Sequence, residues 1–246
     1  MQRPRFFVDQ PFIPGELIDL QEPVSRHISK ALRMQIGDAL CLFDGRGVEA
    51  NGSIQAISRK TLTVRIEEAT PIDRESSLEV SLAISMSRGD RMDTIVQKAT
   101  ELGVTRILPF NSERTELRLT EDRAAKKLAH WRAIAASACE QCGRNLIPSI
   151  EAPLTFQALL SQFLSNSASL KLLLHPGMSC EPLPLHCTEL TLLIGPEGGF
   201  SATEVKQAII GGFKPLSLGP RVLRTETAPL AAVAVAQARW GDLLAG

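Results

Sequence analysis

Polar and charged side chains crowd into one short segment near the end of the chain. Arg221, Arg224 and Glu226, with the threonines Thr225 and Thr227, lie between a short apolar run and an Ala/Val-rich stretch with the composition of a buried helix. Polar groups beside a buried helix need hydrogen-bonding or charged partners. The segment therefore predicts either a site for a polar ligand or an internal Arg–Glu pair in which a threonine caps the helix.

A glycine-rich loop, Gly195-Pro196-Glu197-Gly198-Gly199, precedes this segment. Ser201 and Glu204 have the spacing of a capping box, which predicts that a helix starts directly after the loop. Glycines let a ligand approach the backbone closely, and free N–H groups at a helix start favour electron-rich ligand atoms. The loop matches neither the dinucleotide nor the nucleoside-triphosphate fingerprint, so neither ligand is supported. Taken alone, it also fits a structural tight turn.

Three short apolar runs end at Gly/Pro loops in this part of the chain. The runs 172–174, 190–194 and 216–218 precede His175-Pro176-Gly177, the glycine-rich loop and Gly219-Pro220-Arg221. Buried parallel strands have this pattern, and ligands of open α/β sheets bind where loops leave the carboxyl ends of the strands. We therefore expect the three loops to form one pocket.

The chain has two parts that differ in their pattern. Residues 1–72 show short strands separated by turns, which is typical of a small β-barrel or sandwich, with one helix between Pro23 and Gly37. Residues 73–246 alternate strands and helices, which predicts an α/β domain with a mostly parallel sheet. The predicted strands are 5–8, 39–43, 48–57, 62–66, 78–84 and 104–108 besides the three runs above, and the other predicted helices are 92–102, 121–142 and 228–244.

A basic stripe lies on the helix predicted in the first part. Arg26, Lys30 and Arg33 follow at positions i, i+4 and i+7, without an acidic residue between 24 and 36. Together with Arg3 and Arg5, this stripe could contact a phosphate backbone. An ordinary solvated helix face has the same pattern.

Bulk composition restricts the class of protein. The 246 residues are 44% hydrophobic and 22% charged, with a formal net charge of zero, as in a globular protein that is not a polyanion binder over its whole surface. No apolar stretch reaches the length of a signal peptide or a membrane span. We expect a cytoplasmic protein with no membrane contact.

The five cysteines do not indicate a clear metal site. Cys139 and Cys142 form a C-x-x-C pair, and Cys180, His186 and Cys187 could complete a zinc site. The first pair, however, lies inside a predicted helix and the second has an unusual gap, so we predict reduced thiols and no metal. His175 has no serine or cysteine partner placed to form a catalytic triad.

Several separated motifs resemble one known family. They include LLIGPEGG (192–199), LGPRVLRTETA (218–228), QKATELG (97–103) and ACEQCGR (138–144), and shorter matches at 32–34, 43–45, 86–89 and 112–114 extend the likeness over essentially the whole chain. These segments closely resemble the RsmE family of 16S ribosomal RNA (uracil-N3)-methyltransferases, members of the SPOUT class.

The resemblance implies a fold, a cofactor and partners. An N-terminal PUA-like β-barrel would help to bind 16S rRNA of the small ribosomal subunit, and a C-terminal α/β domain would form a trefoil knot, which pattern alone could not reveal. S-adenosylmethionine would occupy the knot, and the enzyme would be a homodimer in which the Ala-rich last helix packs against its partner. The implied cofactor-binding residues are Leu174, His175, Pro176, Ile194, Gly195, Glu197, Gly198, Leu218, Gly219, Arg221, Leu223 and Thr227.

The implied reaction sets requirements on the site. Uracil N3 is mostly protonated at neutral pH, and loss of its proton places negative charge on the uracil oxygens, so a cation should stabilise the transition state and a base could accept the proton. Arg221 and Arg224 are candidates for the cation, and Glu226 for orienting them or acting as the base. No metal is required.

Two alternatives remain open from the sequence. One is a non-catalytic RNA-binding or ribosome-assembly protein that keeps the fold, although a pure binding module would not need a pocket built from three strand ends. The other is a SPOUT enzyme that acts on tRNA or on another position of rRNA.

Overall fold

The computed structural model describes residues 3–117, 120–163, 169–178 and 182–244. The chain divides into two compact packing units. Unit 1 comprises the chain up to Glu75 and Ala136–Ile147, and unit 2 comprises Ser76–Ala135 and the chain from Pro148 onward. The division into domains 1–72 and 73–246 stays a prediction.

Unit 1 is built on a curled sheet of five strands in the order β1-β3-β4-β5-β2. The β1/β3 pair is parallel and the other pairs are antiparallel. Residues of all five strands enter one apolar core, for example Phe6 of β1 and Leu20 of β2, so the two edge strands curve toward the same interior. The strands are β1 (Arg5–Phe7), β2 (Leu17–Leu20), β3 (Ala39–Phe43), β4 (Val48–Ile57) and β5 (Leu62–Pro71).

The helix predicted between Pro23 and Gly37 is shorter and wider than expected. A single α-turn, α1 (Val24–Arg26), continues as a π-helical segment, His27–Ala31. Ser29 Oγ donates to the carbonyl of Ser25 at 2.8 Å, and such side-chain bonds compete with the regular helix ladder. The chain then leaves the helix through Arg33, whose φ of 55° is left-handed.

Unit 2 contains a fully parallel sheet in the order β12-β10-β11-β6-β7-β8, and β9 also pairs with β7. This confirms the predicted α/β class with a mostly parallel sheet. The strands are β6 (Glu79–Ser85), β7 (Arg106–Asn111), β8 (Ser149–Ile150), β9 (Leu154–Thr155), β10 (Leu170–Leu174), β11 (Glu189–Ile194) and β12 (Lys214–Leu216), and the helices are α2 (Arg91–Glu101), α3 (Glu121–Cys142), α4 (Phe156–Phe163), α5 (Ala202–Ile210) and α6 (Thr227–Trp240).

Both faces of this sheet are buried, as parallel sheets require. Leu173 and Leu193 pack against α4 and α5, while their strand neighbours Leu172 and Leu192 are also buried, and successive side chains of a strand point to opposite faces. Helix α6 contacts β6, β11 and α2. The strands are consequently the near-continuous apolar runs seen in the sequence.

The parallel arrangement brings several loops to one edge of the sheet. Leu174 is opposite Leu216 in the β10/β12 pair, and Ile194 is opposite Ile84 in the β11/β6 pair. The loops that follow β6, β10, β11 and β12 therefore all leave the carboxyl edge, where α/β folds bind ligands. Strand pairing does not determine how loops are threaded, so the trefoil knot stays a prediction.

Candidate active site

A cavity of about 300 Å³ lies at the carboxyl ends of β10, β11 and β12. This volume is at the lower end of the range for small-molecule sites, which is roughly 300–1,000 Å³. The three predicted loops therefore do meet at one pocket. The cavity is lined by Arg114, Leu174, His175, Pro176, Ile194, Gly195, Pro196, Glu197, Gly198, Gly199, Phe200, Leu216, Ser217, Leu218, Gly219, Arg221, Val222, Leu223, Thr225 and Ala228.

The glycine-rich loop is held in place from its end. Phe200, 7% exposed, stacks against Phe110 with a ring-centroid distance of 6.3 Å. A Cβ on Gly195 would lie 3.0 Å from the Phe200 ring, so only a glycine fits at that position without displacing the ring. The buried aromatic cluster thus fixes the backbone that lines the cavity.

The predicted capping box is present at the start of α5. Ser201 Oγ accepts from the Glu204 N–H at 3.2 Å, and Glu204 accepts from the Ser201 N–H at 2.9 Å. The buried Glu204 carboxylate also accepts from the Glu113 N–H at 2.8 Å. One carboxylate therefore joins the glycine-rich loop to the loop that follows β7.

Arg114 belongs to the cavity although the sequence reasoning assigned it no site role. It lies in the loop after β7 that Glu204 holds, and its Nη1 donates to the Gly198 carbonyl at 2.8 Å. A cation in the wall of a cavity favours negatively charged ligand groups. The motif at 112–114 was visible in the sequence, but its proximity to Gly198 depends on a contact between distant segments.

Thr227 does not line the cavity, whereas every other predicted cofactor-binding residue does. Thr227 is the exposed first residue of α6. Its place in the wall is taken by Thr225, which lies before the helix begins. The sequence does not distinguish Thr225 from Thr227, because the position at which the helix begins decides which of the two lines the cavity.

The three predicted catalytic residues occupy two neighbouring spaces. Arg221 lines the cavity, while Arg224 and Glu226 line an adjoining concavity of about 380 Å³. The two spaces share Glu197, Val222, Leu223 and Thr225 as a common wall. Glu226 forms an ion pair with Arg91 of α2, not with an arginine of its own segment as the sequence alternative supposed.

Arg91 connects the two loops that carry the site. Its Nη1 donates to Glu197 Oε1 in the glycine-rich loop, and its Nε lies 3.8 Å from Glu226 Oε2. Arg91 is the first residue of α2, more than a hundred residues before either glutamate in the chain. No local sequence signal predicts this contact.

His175 hydrogen-bonds within its own loop. Its Nδ1 lies 2.8 Å from the Pro176 carbonyl oxygen, so as the donor this nitrogen stabilises the loop that follows β10. The imidazole lines the cavity. The position supports a binding role for His175 rather than nucleophilic chemistry.

The basic stripe lies on the surface of unit 1. Arg26, Lys30 and Arg33 are all exposed, and Arg3 is exposed with a hydrogen bond to Asn51 at 3.0 Å. Ser25 Oγ donates to the Lys60 carbonyl at 3.0 Å, which joins the stripe to the β4–β5 turn and its exposed basic side chains, Arg59 and Lys60.

Arg5 is not part of this exposed surface. Its side chain is 8% exposed, forms an ion pair with Glu49, donates to Asn145 Oδ1 at 2.7 Å and lies over the Phe43 ring. Its Nη1 and Nη2 atoms make hydrogen bonds inside unit 1, so Arg5 is not available for the expected phosphate contact, and that expectation is corrected. A basic residue in a strand looks the same in sequence whether it is exposed or paired.

Glu49 is the centre of a partly buried charge cluster in unit 1. It accepts from Arg74 at 2.8 Å as well as from Arg5. Burial raises the pKa of the Glu49 carboxyl, but hydrogen bonds and charges from Arg74 and Arg5 outweigh burial and hold its pKa below the ordinary 4.5.

Three of the described cysteines are not activated nucleophiles. Burial raises the pKa of Cys41 to about 11, a hydrogen bond with Cys142 and burial raise the pKa of Cys139, and burial raises the pKa of Cys187. Cys139 and Cys142 lie in the last turn of α3, while Cys180 lies outside the described residues. Within the described ranges, no three His, Cys, Asp or Glu side chains are grouped to hold a metal ion.

Two families of protein domains match the chain. One, described as an RNA methyltransferase domain, matches residues 74–237, and the other, described as an RNA methyltransferase PUA domain, matches residues 20–67. Among the described parts of the chain, no helix combines the length and apolar character that crossing a bilayer requires.

Relatives and solved structures are similar over nearly their full length. The ribosomal RNA small subunit methyltransferase E of Buchnera aphidicola (subspecies Schizaphis graminum) is 34% identical over 98% of both chains. A methyltransferase from Legionella pneumophila, solved with bound SAM, is 40% identical with a TM-score of 0.94 over 99% of this chain and 100% of its own. A ribosomal RNA small subunit methyltransferase E from Neisseria gonorrhoeae, solved with S-adenosyl methionine, is 37% identical with a TM-score of 0.90 over 98% and 99%.

Proposed function

The chain belongs to the ribosomal RNA small subunit methyltransferase E family, and from this premise we propose that it methylates N3 of one uracil in 16S rRNA. It is an S-adenosylmethionine-dependent rRNA methyltransferase with a PUA-like N-terminal part and a SPOUT-type catalytic part. The uracil N3 target and the roles of individual residues are the proposal. The observation that carries it is the cavity at three strand ends, with two arginines and a glutamate at its border.

The residues around the cavity fit the cofactor. Gly199 and Gly219 have positive φ values and open space where a Cβ would stand, so ligand atoms can approach the backbone there. Apolar side chains such as Leu174, Ile194 and Leu223 provide contact surface, while Arg114 and Glu197 add charged groups for the polar parts. The bound cofactor supplies a methyl group on a positively charged sulfur.

The adjoining concavity is the place we propose for the target uracil. It holds Arg224 and Glu226 and shares a wall with the cofactor cavity, so a base there would lie next to the methyl donor. Reaching it requires the nucleotide to leave its stack, as in other enzymes that act on bases. The concavity volume of about 380 Å³ accommodates one nucleotide base.

The charged side chains would then act on the uracil as its N3 proton leaves. Arg221 and Arg224 stabilise the negative charge that develops on the uracil oxygens. Glu226 either orients these arginines or accepts the N3 proton. Its ion pair with Arg91 keeps its carboxylate at the edge of the concavity.

Two substitutions test these roles. Arg221→Ala should lower turnover by roughly 100-fold, because one electrostatic contact to a developing charge is lost. Glu226→Gln should lower it by about 100-fold or more if the carboxylate is the base. For both variants, calorimetry measures the cofactor affinity and single-turnover experiments measure the methylation rate. Full turnover with intact cofactor binding in Arg221→Ala would refute the electrostatic role, and a wild-type rate in Glu226→Gln would show that Glu226 is not the base.

The exposed basic residues of unit 1 are proposed to contact rRNA phosphates. Arg26, Lys30, Arg33 and Arg3 are accessible for this, and Arg5 is not. Arg59 and Lys60 extend the surface from the adjoining turn. The partner is 16S rRNA in the small ribosomal subunit, and the reaction would take place in the cytoplasm.

A homodimer is proposed as the working assembly. Helix α6 is rich in alanine and leaves Val235 52% exposed, a surface that a second copy could cover. Light scattering at working concentration should give the mass of two chains. The mass of one chain would contradict this proposal.

The reaction itself is tested by product identification. Purified protein is incubated with labelled S-adenosylmethionine and small ribosomal subunits that lack native methylation, beside tRNA and naked rRNA. Label in 3-methyluridine of 16S rRNA is expected. Label in another nucleoside or in tRNA would show that the enzyme has a different substrate. Tight cofactor binding without any label would favour a non-catalytic RNA-binding protein.

A further inference from the structure

Arg91 occupies a position between the cofactor loop and the segment that holds Glu226. Its guanidinium binds Glu197, which lines the cofactor cavity, and lies 3.8 Å from the Glu226 carboxylate at its other edge. Arg91 and Glu197 both line the concavity that we assign to the uracil. One side chain thus connects the two spaces between which the methyl group must pass.

Arg91 is mounted on a helix, while its two partners lie in turns. It begins α2, whose buried Met92, Ile95 and Val96 anchor the helix in the unit 2 core, and α2 also contacts α6. Glu197 lies in the glycine-rich loop, and Glu226 lies directly before α6. A functional carboxylate on a loop needs such a support to keep its geometry.

The contacts of Arg91 contribute little to folding stability. The side chains of Arg91, Glu197 and Glu226 are 49%, 40% and 27% exposed, and ion pairs this exposed add little net stability. A planar fork of donors is nevertheless well suited to hold two carboxylates at fixed positions. The geometry therefore favours orientation of the site over stabilisation of the fold.

We propose that Arg91 is a positioning residue for methyl transfer, which holds Glu226 in register with the cofactor loop by binding Glu197 and Glu226 together. The inference rests on the proposed function, because Arg91 would act through the catalytic role proposed for Glu226. Arg91 itself is not assigned contact with the reacting atoms.

The test compares Arg91→Gln with the wild-type protein. Single-turnover methylation should fall by roughly 10- to 100-fold, as expected when a reacting group is misplaced. Cofactor affinity should fall much less than the rate, by about twofold, because Arg91 does not line the cofactor cavity and touches it only through the partly exposed Glu197. Arg91→Lys keeps the charge without the fork and should recover part of the rate.

A double-mutant cycle separates positioning from a structural effect. If Arg91 acts through Glu226, then Arg91→Gln should lower the rate little further in a protein that already carries Glu226→Gln. Fully additive losses would overturn the inference, as would a wild-type rate in Arg91→Gln or a collapse of its cofactor affinity. Thermal melting of each variant establishes that it is folded.

Arg106→Gln is the matched control. Arg106 is also a partly exposed arginine that ion-pairs with a glutamate, Glu151, but it lies at the amino end of β7, away from the carboxyl edge. The methylation rate of Arg106→Gln should equal that of the wild type. An inactive wild-type protein would refute the proposed function and the inference together, whereas an active wild type with a full-rate Arg91→Gln would refute only the role of Arg91.

Discussion

Gly219 and Gly177 adopt similar backbone conformations, but only Gly219 lines the cofactor cavity. Their φ values are 93° and 80°, and a Cβ on either would meet no atom within 4 Å. Alanine at either position is strained by its backbone alone, which costs on the order of 1 kcal/mol. Alanine substitutions at the two glycines therefore introduce similar backbone strain, at one position that lines the cofactor cavity and at one that does not.

We expect Gly219→Ala and Gly177→Ala to lose similar stability but to differ in cofactor affinity. Relief of strain at Gly219 shifts backbone that lines the cavity, so this variant should bind S-adenosylmethionine roughly 10-fold more weakly. Gly177→Ala should bind it like the wild type. Urea unfolding and calorimetry measure the two effects, and equal cofactor affinities would contradict a role of the Gly219 backbone in binding.

Local sequence predicted the cavity residues better than their partners. Glycines, prolines and apolar strand ends have local signals, so most of the cavity wall could be proposed residue by residue once the resemblance was known. Arg91 and Arg114 have no such signal, because they reach the site through contacts with Glu197 and Gly198 in distant segments. Arg5 was misassigned for the same reason, since its partner Glu49 lies on another strand.

At the scale of elements, the regular strands and long helices followed their patterns. Strands β3 and β4 and helix α3 have the predicted bounds, because alternation and helical spacing persist over several residues there. The short strands β2, β8 and β9 were not predicted, since so few residues carry little periodicity. Helix α4 was also not predicted, although Phe156, Leu159 and Phe163 recur there at helical spacing. The π-helical segment was expected as an ordinary helix, because side-chain spacing does not distinguish the two.

The charge cluster that joins β1, β4 and the segment after β5 should make stability depend on pH. The pKa of Glu49 is lower in the folded protein than the ordinary 4.5, so its ionised form stabilises the fold at pH values above that figure. This contribution is lost as the pH falls through the folded pKa. The stability difference between wild type and Glu49→Gln should therefore shrink as the pH is lowered from about 7 to about 3.

Urea unfolding across this pH range measures the effect. Glu68→Gln, at an exposed position of β5, is the control and should give a small difference at every pH. A wild-type advantage over Glu49→Gln that stays constant down to the lowest pH would contradict the assignment.

At the scale of the whole molecule, binding of RNA and binding of the cofactor should be separable. Replacing Arg26, Lys30 and Arg33 together by glutamine should weaken rRNA binding and reduce the slope of log affinity against log salt by about 2 to 3. Cofactor affinity should not change, because the three residues lie in unit 1 and the cavity lies in unit 2.

Filter binding at several salt concentrations measures this slope. Lys206→Gln on α5 controls for loss of an exposed positive charge elsewhere and should leave the slope nearly unchanged. An unchanged slope in the triple variant would show that the basic stripe is an ordinary solvated surface.

Helix α3 has a consequence for the order in which the protein can be made. Unit 1 includes Ala136–Ile147, and from this stretch Glu140 accepts the Phe7 N–H while Asn145 binds Arg5. The ribosome must therefore synthesise Ser76–Ala135, which belongs to unit 2, before the first unit has all of its parts. At ordinary elongation rates, synthesis of Ser76–Ala135 takes on the order of several seconds. During that time the amino-terminal sheet has emerged, but Arg5 and Phe7 still lack these partners.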